Sequence, residues 1–356
     1  LHKGHINILK TANRYGSVIV GLLTDQAIAS YKNIPYLNYE KRKVVIENIR
    51  YVKKVIPQNT LDYISNLKLI KPDYVVHGDD WKTGVQKKTR ERVIKALKKW
   101  SGKLIEPKYT KNISSTLIKK ELNNFIYSPE NRVSRLKRLI NSKDIVRILE
   151  SHNSLTGLII DKINIVKNKK TIEFDGMWSS SLTDSATKGL PDNSSLSFSA
   201  RISSLNDMMD VTAKPLVFDA DNGGQIEHLP FLVRSLERSG ASAIIMEDKV
   251  GLKKNSLFKN QSGAKQDKPK LFARKIKKIC NSRQSQDFMV IARIESFIVG
   301  KGLKDALHRA EIYSKAGADA ILIHSKEKTP AEIFSFAREF KKSKNFKPLV
   351  SVPSTY

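Results

Sequence analysis

Four times in the second half of the chain an apolar run breaks off into polar residues: "LVFDAD" at 216–221, "AIIMED" at 243–248, "MVIARIE" at 289–295 and "AILIHSK" at 320–326. A fifth apolar run, "PLVSVPS", follows at 348–354. Short apolar runs with polar ends read as buried strands. Between them lie helix-like stretches, "LPFLVRSLERSG" closing on Gly240 and "LKDALHRAEIYSKAG" closing on Gly317. A glycine there accepts the left-handed backbone that ends a helix. One polar strand end follows the next at about the length of a βα unit, or more where an insertion intervenes. Repeated βα units with polar residues at the strands' carboxyl ends predict a (β/α)8 barrel over residues 146–356, with its chemistry on that face.

The first 122 residues have a different rhythm. "SVIVGLL" (17–23), "EKRKVVIENIRYVKKVI" (40–56), "PDYVVHG" (72–78) and "TRERVIKALKKW" (89–100) alternate strand-like and helix-like character, which predicts an α/β domain with a parallel sheet. Residues 123–145, with a proline, several Asn and Ser and a basic run, read as the connection. Two domains fit a length of 356 residues. The chain opens on Leu1 and stops just after a strand-like run, so it reads as a fragment cut at both ends, with the last barrel units missing.

Composition narrows the partners. No apolar run approaches the roughly 18 residues of a membrane span, so no membrane partner is expected. Cys280 is the single cysteine; it excludes an intrachain disulfide and a cysteine-based metal cluster, and fits a reducing cytoplasm. A formal charge of +29 raises the question of nucleic acid. The lysines are spread along the chain without an aromatic-interleaved stripe, so a solvated basic surface is the simpler reading. Capture of small anionic substrates is the second.

The strand ends share a chemistry. Asp219, Asp221 and Glu247 are hard oxygen donors on adjacent strand ends and suit Mg²⁺, which takes few carboxylates and keeps waters. Arg293 ends the next strand with a planar fork for a carboxylate or phosphoryl group, and His324, Ser325 and Lys326 end the one after. Any one of these alone is more simply a turn or cap residue. On four consecutive ends they point to a magnesium site for a phosphate-bearing anion.

"EDKVGLKKNS" at 247–256 resembles the EDKxxxKxNS signature of phosphoenolpyruvate mutases, members of the isocitrate lyase superfamily that form the carbon–phosphorus bond of phosphonopyruvate. The similarity runs from about Leu136 onward, through "HNSLTGLI", "DGMWSSSLTDSATKGLPD", "FDADNGG", "IARIESFIVGKGLKDALHRAE" and "GADAILIHSK". The resemblance implies Mg²⁺ at Asp219, Asp221 and Glu247, some through water. It implies Trp178, Ser180 and Ser181 around the pyruvyl carboxylate, Arg293, His324 and Ser325 as further substrate contacts, and Lys253, Asn255 and Ser256 on the phosphonyl side. Lys249, in the same signature, joins the substrate-binding set. Asp192 in "KGLPDNSS" matches the catalytic aspartate of a gating loop; by its residues alone, Pro191-Asp192-Asn193 is an ordinary turn. A tetramer is implied as well. An isocitrate lyase would carry a cysteine loop where Lys253-Lys254-Asn255-Ser256 stands, which removes that reading; phosphonopyruvate hydrolase stays open as the alternative. The "DNGG" at 221–224 departs from the more usual Asp-Thr-Gly.

"LHKGHINILK" places His2, Gly4 and His5 at the start of a helix, where the glycine lets a nucleotide phosphate approach the helix N-terminus. With "GLLTD", "YEKRKVVIENIRYVKKVI", "HGDDW" and "ISSTLIKKEL" in order, this region resembles the glycerol-3-phosphate cytidylyltransferase-like family. The resemblance implies a Rossmann-like fold and CTP as substrate. His2 and His5 match the triphosphate-binding histidines, Asp79, Asp80 and Trp81 a nucleotide-side motif, and Ser114, Ser115 and Thr116 phosphate-binding hydroxyls. Where the family has Arg-Thr-x-Gly, this chain reads Tyr109-Thr110-Lys111-Asn112, without the catalytic arginine. A vestigial nucleotide-binding or assembly role is the rival reading. The expectation is therefore a bifunctional enzyme of phosphonate biosynthesis acting on phosphoenolpyruvate, phosphonopyruvate and a nucleotide.

Overall fold

The computed structural model describes residues 2–31, 33–82, 86–108, 128–167, 170–251, 253–256 and 264–353. Two compact units emerge, one drawn from residues 1–125 and 141–144, the other from 126–140 and 145–356. Among the described residues no helix is long and apolar enough to cross a membrane.

In the first unit, strands Val18–Leu23 (β1) and Val52–Gln58 (β2) pair in parallel, and so do Tyr74–Val76 (β3) and Lys103–Ile105 (β4). The expected parallel sheet is thus present as two separate pairs. Helices Ile64–Ile70 and Lys87–Leu97 pack together over a small core of Leu67, Trp81, Val93 and Leu97.

The second unit is built on Ile148–Glu150 (β5), Gly176–Ser179 (β8), Leu216–Asp219 (β9), Ala243–Glu247 (β10), Met289–Ile294 (β13), Ala320–Ile323 (β14) and Leu349–Val350 (β15). These seven strands hydrogen-bond in chain order, every neighbouring pair parallel. Two short antiparallel pairs are inserted between them, Asn164–Lys167 (β6) with Lys170–Glu173 (β7), and Lys249–Val250 (β11) with Lys265–Gln266 (β12). The barrel architecture is present as a parallel half-barrel with β5 and β15 at its edges.

Period-2 alternation divides the strand side chains between two apolar clusters. Phe218, Ile244, Met246, Val290, Ala292, Ile321 and Ile323 face the helices, while Val217, Ala243, Ile245, Met289, Ile291, Ala320 and Leu322 face the interior. Burial on both faces explains why the sequence reads these strands as unbroken apolar runs. Gly240 closes helix Leu229–Ser239 at φ 82°, as its place in the sequence requires.

The stretch 123–145 is corrected in part. Within it Pro129–Ser142 is a fourteen-residue helix that belongs to the half-barrel. Leu136, 1% exposed, enters the interior cluster and Val133 the helix-facing one. The helix crosses the amino ends of the strands: the Arg132 carbonyl accepts from Ser242 Oγ (2.6 Å), Lys137 Nζ donates to Gln286 O (2.7 Å), and Arg132 Nη2 donates to Met209 O (2.5 Å). In the basic run that reads as linker, Arg132, Arg135 and Lys137 bond backbone carbonyls of the half-barrel.

Gly176 opens β8 because nothing larger fits: a Cβ would lie 2.8 Å from the Pro215 carbonyl oxygen and 3.1 Å from its ring. Gly176→Ala should therefore lower the unfolding free energy by about 1–3 kcal/mol, as overpacking does. Denaturant unfolding at wild-type midpoint would show the strand absorbing the methyl group, against this account.

Candidate active site

The strand ends bring an acid-rich cluster together on the half-barrel's carboxyl face. Asp219 is the last residue of β9, and the chain then turns through Asp221, a non-glycine residue at φ 50°. That conformation is held by Asp221 N donating to Asp219 Oδ1 (3.1 Å) and by Glu247 N, at the end of β10, donating to Asp221 O (2.7 Å). Asp219, Asp221 and Glu247 are 6, 8 and 4% exposed. Asp219 is also fixed from behind: Arg201 Nη1 donates to its carbonyl at 2.5 Å while Arg201 Nε pairs with buried Asp184 at 2.8 Å.

Cations from other segments meet these carboxylates. Arg293 on β13 lies 4.0 Å from Asp219 and 3.5 Å from Glu247. Lys253 reaches Asp221 at 2.5 Å and Asp192 at 2.6 Å, and bonds Ser181. Lys249 stands 3.7 Å from both Glu247 and Glu295 and donates to Ser256 Oγ at 2.8 Å. Glu295, fully buried and not singled out from the sequence, accepts from Arg293 Nε and Ser256 Oγ, each at 2.5 Å, with His324 Nδ1 at 3.3 Å. Its spacing from Arg293, two residues on in "RIE", was the available signal.

Burial raises the Glu247 carboxyl to about 8; Arg293 draws it down and Glu295 pushes it further up. Asp219 is raised as well, by burial and then by Asp221. Lys253 shows the opposite balance: burial lowers it, but Asp219, Asp221 and Asp192 together leave it raised. Glu295 is held far below the usual carboxylate range because Arg293 and His324 outweigh its burial. His324 is lowered by burial and by Arg293.

Among the described residues no three His, Cys, Asp or Glu groups are disposed around one metal position. The donor chemistry still fits a divalent cation. Asp219 and Glu247 are buried hard oxygen donors, both raised first by burial and then by neighbouring carboxylates, and a hard dication would stabilise their charged forms.

The other residues read from the sequence divide. Ser181 and Asp192 join the cluster through Lys253, and Ser256 and His324 join it through Arg293, whose Nη2 lies 3.0 Å from each. Trp178 packs on the interior cluster, and Ser180 and Asn255 are half-buried beside these elements. Ser325 donates to Glu332 at 2.5 Å and accepts from Glu327 N, so its hydroxyl serves its own loop.

In the first unit His2 and His5 cap helix Lys3–Ala12: His2 Nδ1 accepts from Gly4 N (3.2 Å), His2 N donates to His5 Nδ1 (3.4 Å), and the rings lie 3.9 Å apart. Asp79 and Asp80 open a short 3₁₀ turn after β3. Trp81, 1% exposed, is a core residue whose indole donates to Glu106 at 2.8 Å. Bidentate pairing with Arg90 lowers Glu106 to about 2. The surface that Trp81 contributes is its face stacked on His77, 3.9 Å away and 12° from parallel. Ser114, Ser115 and Thr116 lie outside the described residues.

Residues 136–355 match the family described as Phosphoenolpyruvate phosphomutase, and residues 1–121 the family described as Cytidylyltransferase-like. A phosphoenolpyruvate phosphomutase of Tetrahymena pyriformis is 38% identical over 232 residues, 65% of this chain and 73% of that protein. The crystal structure of a phosphonopyruvate hydrolase in complex with oxalate and Mg²⁺ superposes with a TM-score of 0.55 at 32% identity, covering 63% of this chain and 73% of that one. A glycerol-3-phosphate cytidylyltransferase of Bacillus subtilis is 33% identical over 130 residues, 34% of this chain and 88% of that protein.

The Glu247 carboxyl generates a pH prediction. Its folded value, about 8, lies above its ordinary 4.5, so between these values the unfolded chain releases a proton that the folded one keeps. Without divalent cations, stability should fall as pH rises from about 5 to 8, and Glu247→Gln should flatten that slope. Added MgCl₂ should raise the thermal midpoint more at pH 8 than at pH 6, because metal competes with protons for the same oxygens. Equal magnesium effects at the two pH values would remove Glu247 from the cation site.

Proposed function

Because the chain belongs to the phosphoenolpyruvate phosphomutase family, we propose that its half-barrel carries the site that interconverts phosphoenolpyruvate and 3-phosphonopyruvate, an isomerase reaction that opens phosphonate biosynthesis. The observation that carries this reading is the Lys253 ammonium, which joins Asp192 to Asp221 and so draws the candidate nucleophile onto the strand-end carboxylates. In the forward direction an Asp192 oxygen attacks the phosphorus of phosphoenolpyruvate. The bond from phosphorus to the enol oxygen breaks, and its electron pair leaves with the pyruvate enolate. The enolate C3 then attacks the same phosphorus and displaces Asp192, so the carbon–phosphorus bond forms without a further reactant.

Each neighbouring side chain has a part in this. The Arg293 guanidinium, held by Glu295, meets the carboxylate and enolate charge. Lys253, with Ser181 and Asp192 as its partners, offsets charge on the phosphoryl group in its loose transition state. His324 Nδ1, 3.0 Å from Arg293 Nη2, helps to orient the guanidinium. Asp219, Asp221 and Glu247 would hold Mg²⁺, which supplies Lewis-acid stabilisation of the substrate's oxygens. Exclusion of water separates this reaction from hydrolysis, the alternative reading, which by resemblance shares the scaffold, magnesium and the aspartate.

For the first unit we propose a nucleotidyltransferase acting on CTP, with His2, Gly4 and His5 at a helix N-terminus suited to phosphates. A vestigial nucleotide-binding role is the competing outcome, decided by CTP turnover. The domain division we propose is 1–122 for the first domain and, in place of the 146–356 read from the sequence, a barrel domain that opens with the helix Pro129–Ser142. The partners are small molecules rather than nucleic acid or membrane, with assembly as a homo-oligomer, a tetramer by resemblance, in the cytoplasm.

With Mg²⁺ present, phosphorus NMR should show phosphonopyruvate converted to phosphoenolpyruvate, the downhill direction. Inorganic phosphate and pyruvate from the first time points would decide for the hydrolase. Asp192→Asn keeps size and turn preference, and should lower kcat by about ten-thousandfold while leaving oxalate affinity little changed. Near-full activity of that variant would mean that the phosphoryl group travels by another route.

A further inference from the structure

Behind the acid cluster lies a second charged group, wholly buried, that the mechanism above does not use. Asp248, at 0% exposure, is bonded by three other segments of the chain. Its carboxylate accepts from Glu295 N (3.1 Å) in the loop after β13. It accepts from Gln266 Nε2 (3.1 and 3.2 Å) on β12, and from Arg309 Nη1 (3.1 Å) and Tyr313 OH (2.8 Å) on helix Gly302–Lys315. Arg309 is also bound to the Asp267 carbonyl at 2.9 Å and to Asp305 at 2.8 Å.

These contacts fall at one place in the chain. β11 and β12 pair antiparallel, Lys249 opposite Gln266, and form the base of an arm. Asp248 stands before the outgoing strand and Asp267 after the returning one, joined by Asp267 N to Asp248 O at 2.8 Å. Arg309 therefore holds both ends of the arm with one guanidinium. The arm's outgoing side carries Lys253, Asn255 and Ser256, and Lys249 stiffens it by bonding Lys254 O (2.7 Å) and Ser256 Oγ (2.8 Å). A buried ion pair is a weak source of net stability but a strict constraint on geometry, since either partner left alone is a buried charge.

We propose that Arg309 and Tyr313 are positioning residues of the reaction: through Asp248 they fix the base of the arm and so set Lys253 and Ser256 against Asp192, Asp221 and Glu295. They touch no substrate. The inference rests on the phosphoryl-transfer reading for its kinetic consequence, and on the contacts alone for its mechanical one.

Tyr313→Phe removes the hydroxyl and keeps the ring against Phe272, 4.9 Å away; Arg309→Lys keeps the charge and loses the fork. In the full chain with Mg²⁺, each should lower kcat for phosphonopyruvate, by on the order of tenfold to a hundredfold, since misplacement of about 1 Å costs that much. Affinity for oxalate, which the proposed site would hold through Arg293 and a cation on the strand-end acids, should stay within about twofold. Amide hydrogen exchange in peptides covering 249–256 should accelerate while the strands β9 and β10 keep their protection. Wild-type kcat and exchange in both variants would overturn the proposal. So would a loss of kcat, oxalate binding and strand protection together, which marks a merely structural role. If the wild-type protein turns over no phosphonopyruvate to either product, the functional reading fails, and the exchange of 249–256 still decides whether Arg309 and Tyr313 hold the arm.

Discussion

Five carboxylates at the strand ends, Asp219, Asp221, Glu247, Asp248 and Glu295, are each less than a tenth exposed, and most of the unit's polar architecture follows from keeping them there. Unpaired charge in such surroundings is prohibitive, so each acid is met by a group from a different part of the chain. Lys253 and Lys249 come from the arm after β10, Arg293 from β13 and Arg309 from the helix beyond it. Meeting the charges ties together segments that are distant in sequence. Burial leaves the Asp219 and Glu247 carboxyls raised in spite of these cations, which is the electrostatic basis of the cation site proposed above.

The same arrangement explains how one scaffold serves reactions with different products. On the proposed reading, holding a phosphoryl group near Asp192, Lys253 and Arg293 requires only electrostatics, which suits a mutase and a hydrolase alike. On that reading, what separates the two outcomes is the lifetime of the enolate beside the phosphorylated aspartate and whether water arrives first. Asp248 and Arg309 hold the base of the arm that carries Lys253 and Ser256 to the strand ends.

Much of this was legible in the sequence, for physical reasons. Strands buried on both faces must be continuous apolar runs, so β9, β10, β13 and β14 announced themselves, and their polar ends marked Asp219, Glu247 and Arg293. Asp192 was placed by resemblance alone, because Pro-Asp-Asn reads as a turn. Glu295 and Asp248 were not picked out, since an acid that is fully buried and paired looks in sequence like any acid after a strand. Trp81 was read as a ligand contact where packing and Glu106 make it core. Ser325 was read as a substrate contact, while its bond to Glu332 depends on a helix whose approach the local sequence does not record.

The helix Pro129–Ser142 was concealed by its own arginines, and its position has a bearing on how such chains are assembled in evolution. Leu136 occupies the interior of the half-barrel at its amino end, so the segment that leads into the barrel is also its floor. A gene rearrangement that exchanged the preceding domain could break the reading frame upstream of Pro129 and leave the barrel whole. A break between this helix and β5, where the sequence suggests a seam, would carry the floor away with the departing partner. The exchangeable boundary lies before the helix, and inheritance should keep Pro129–Ser142 with the barrel whatever stands in front of it.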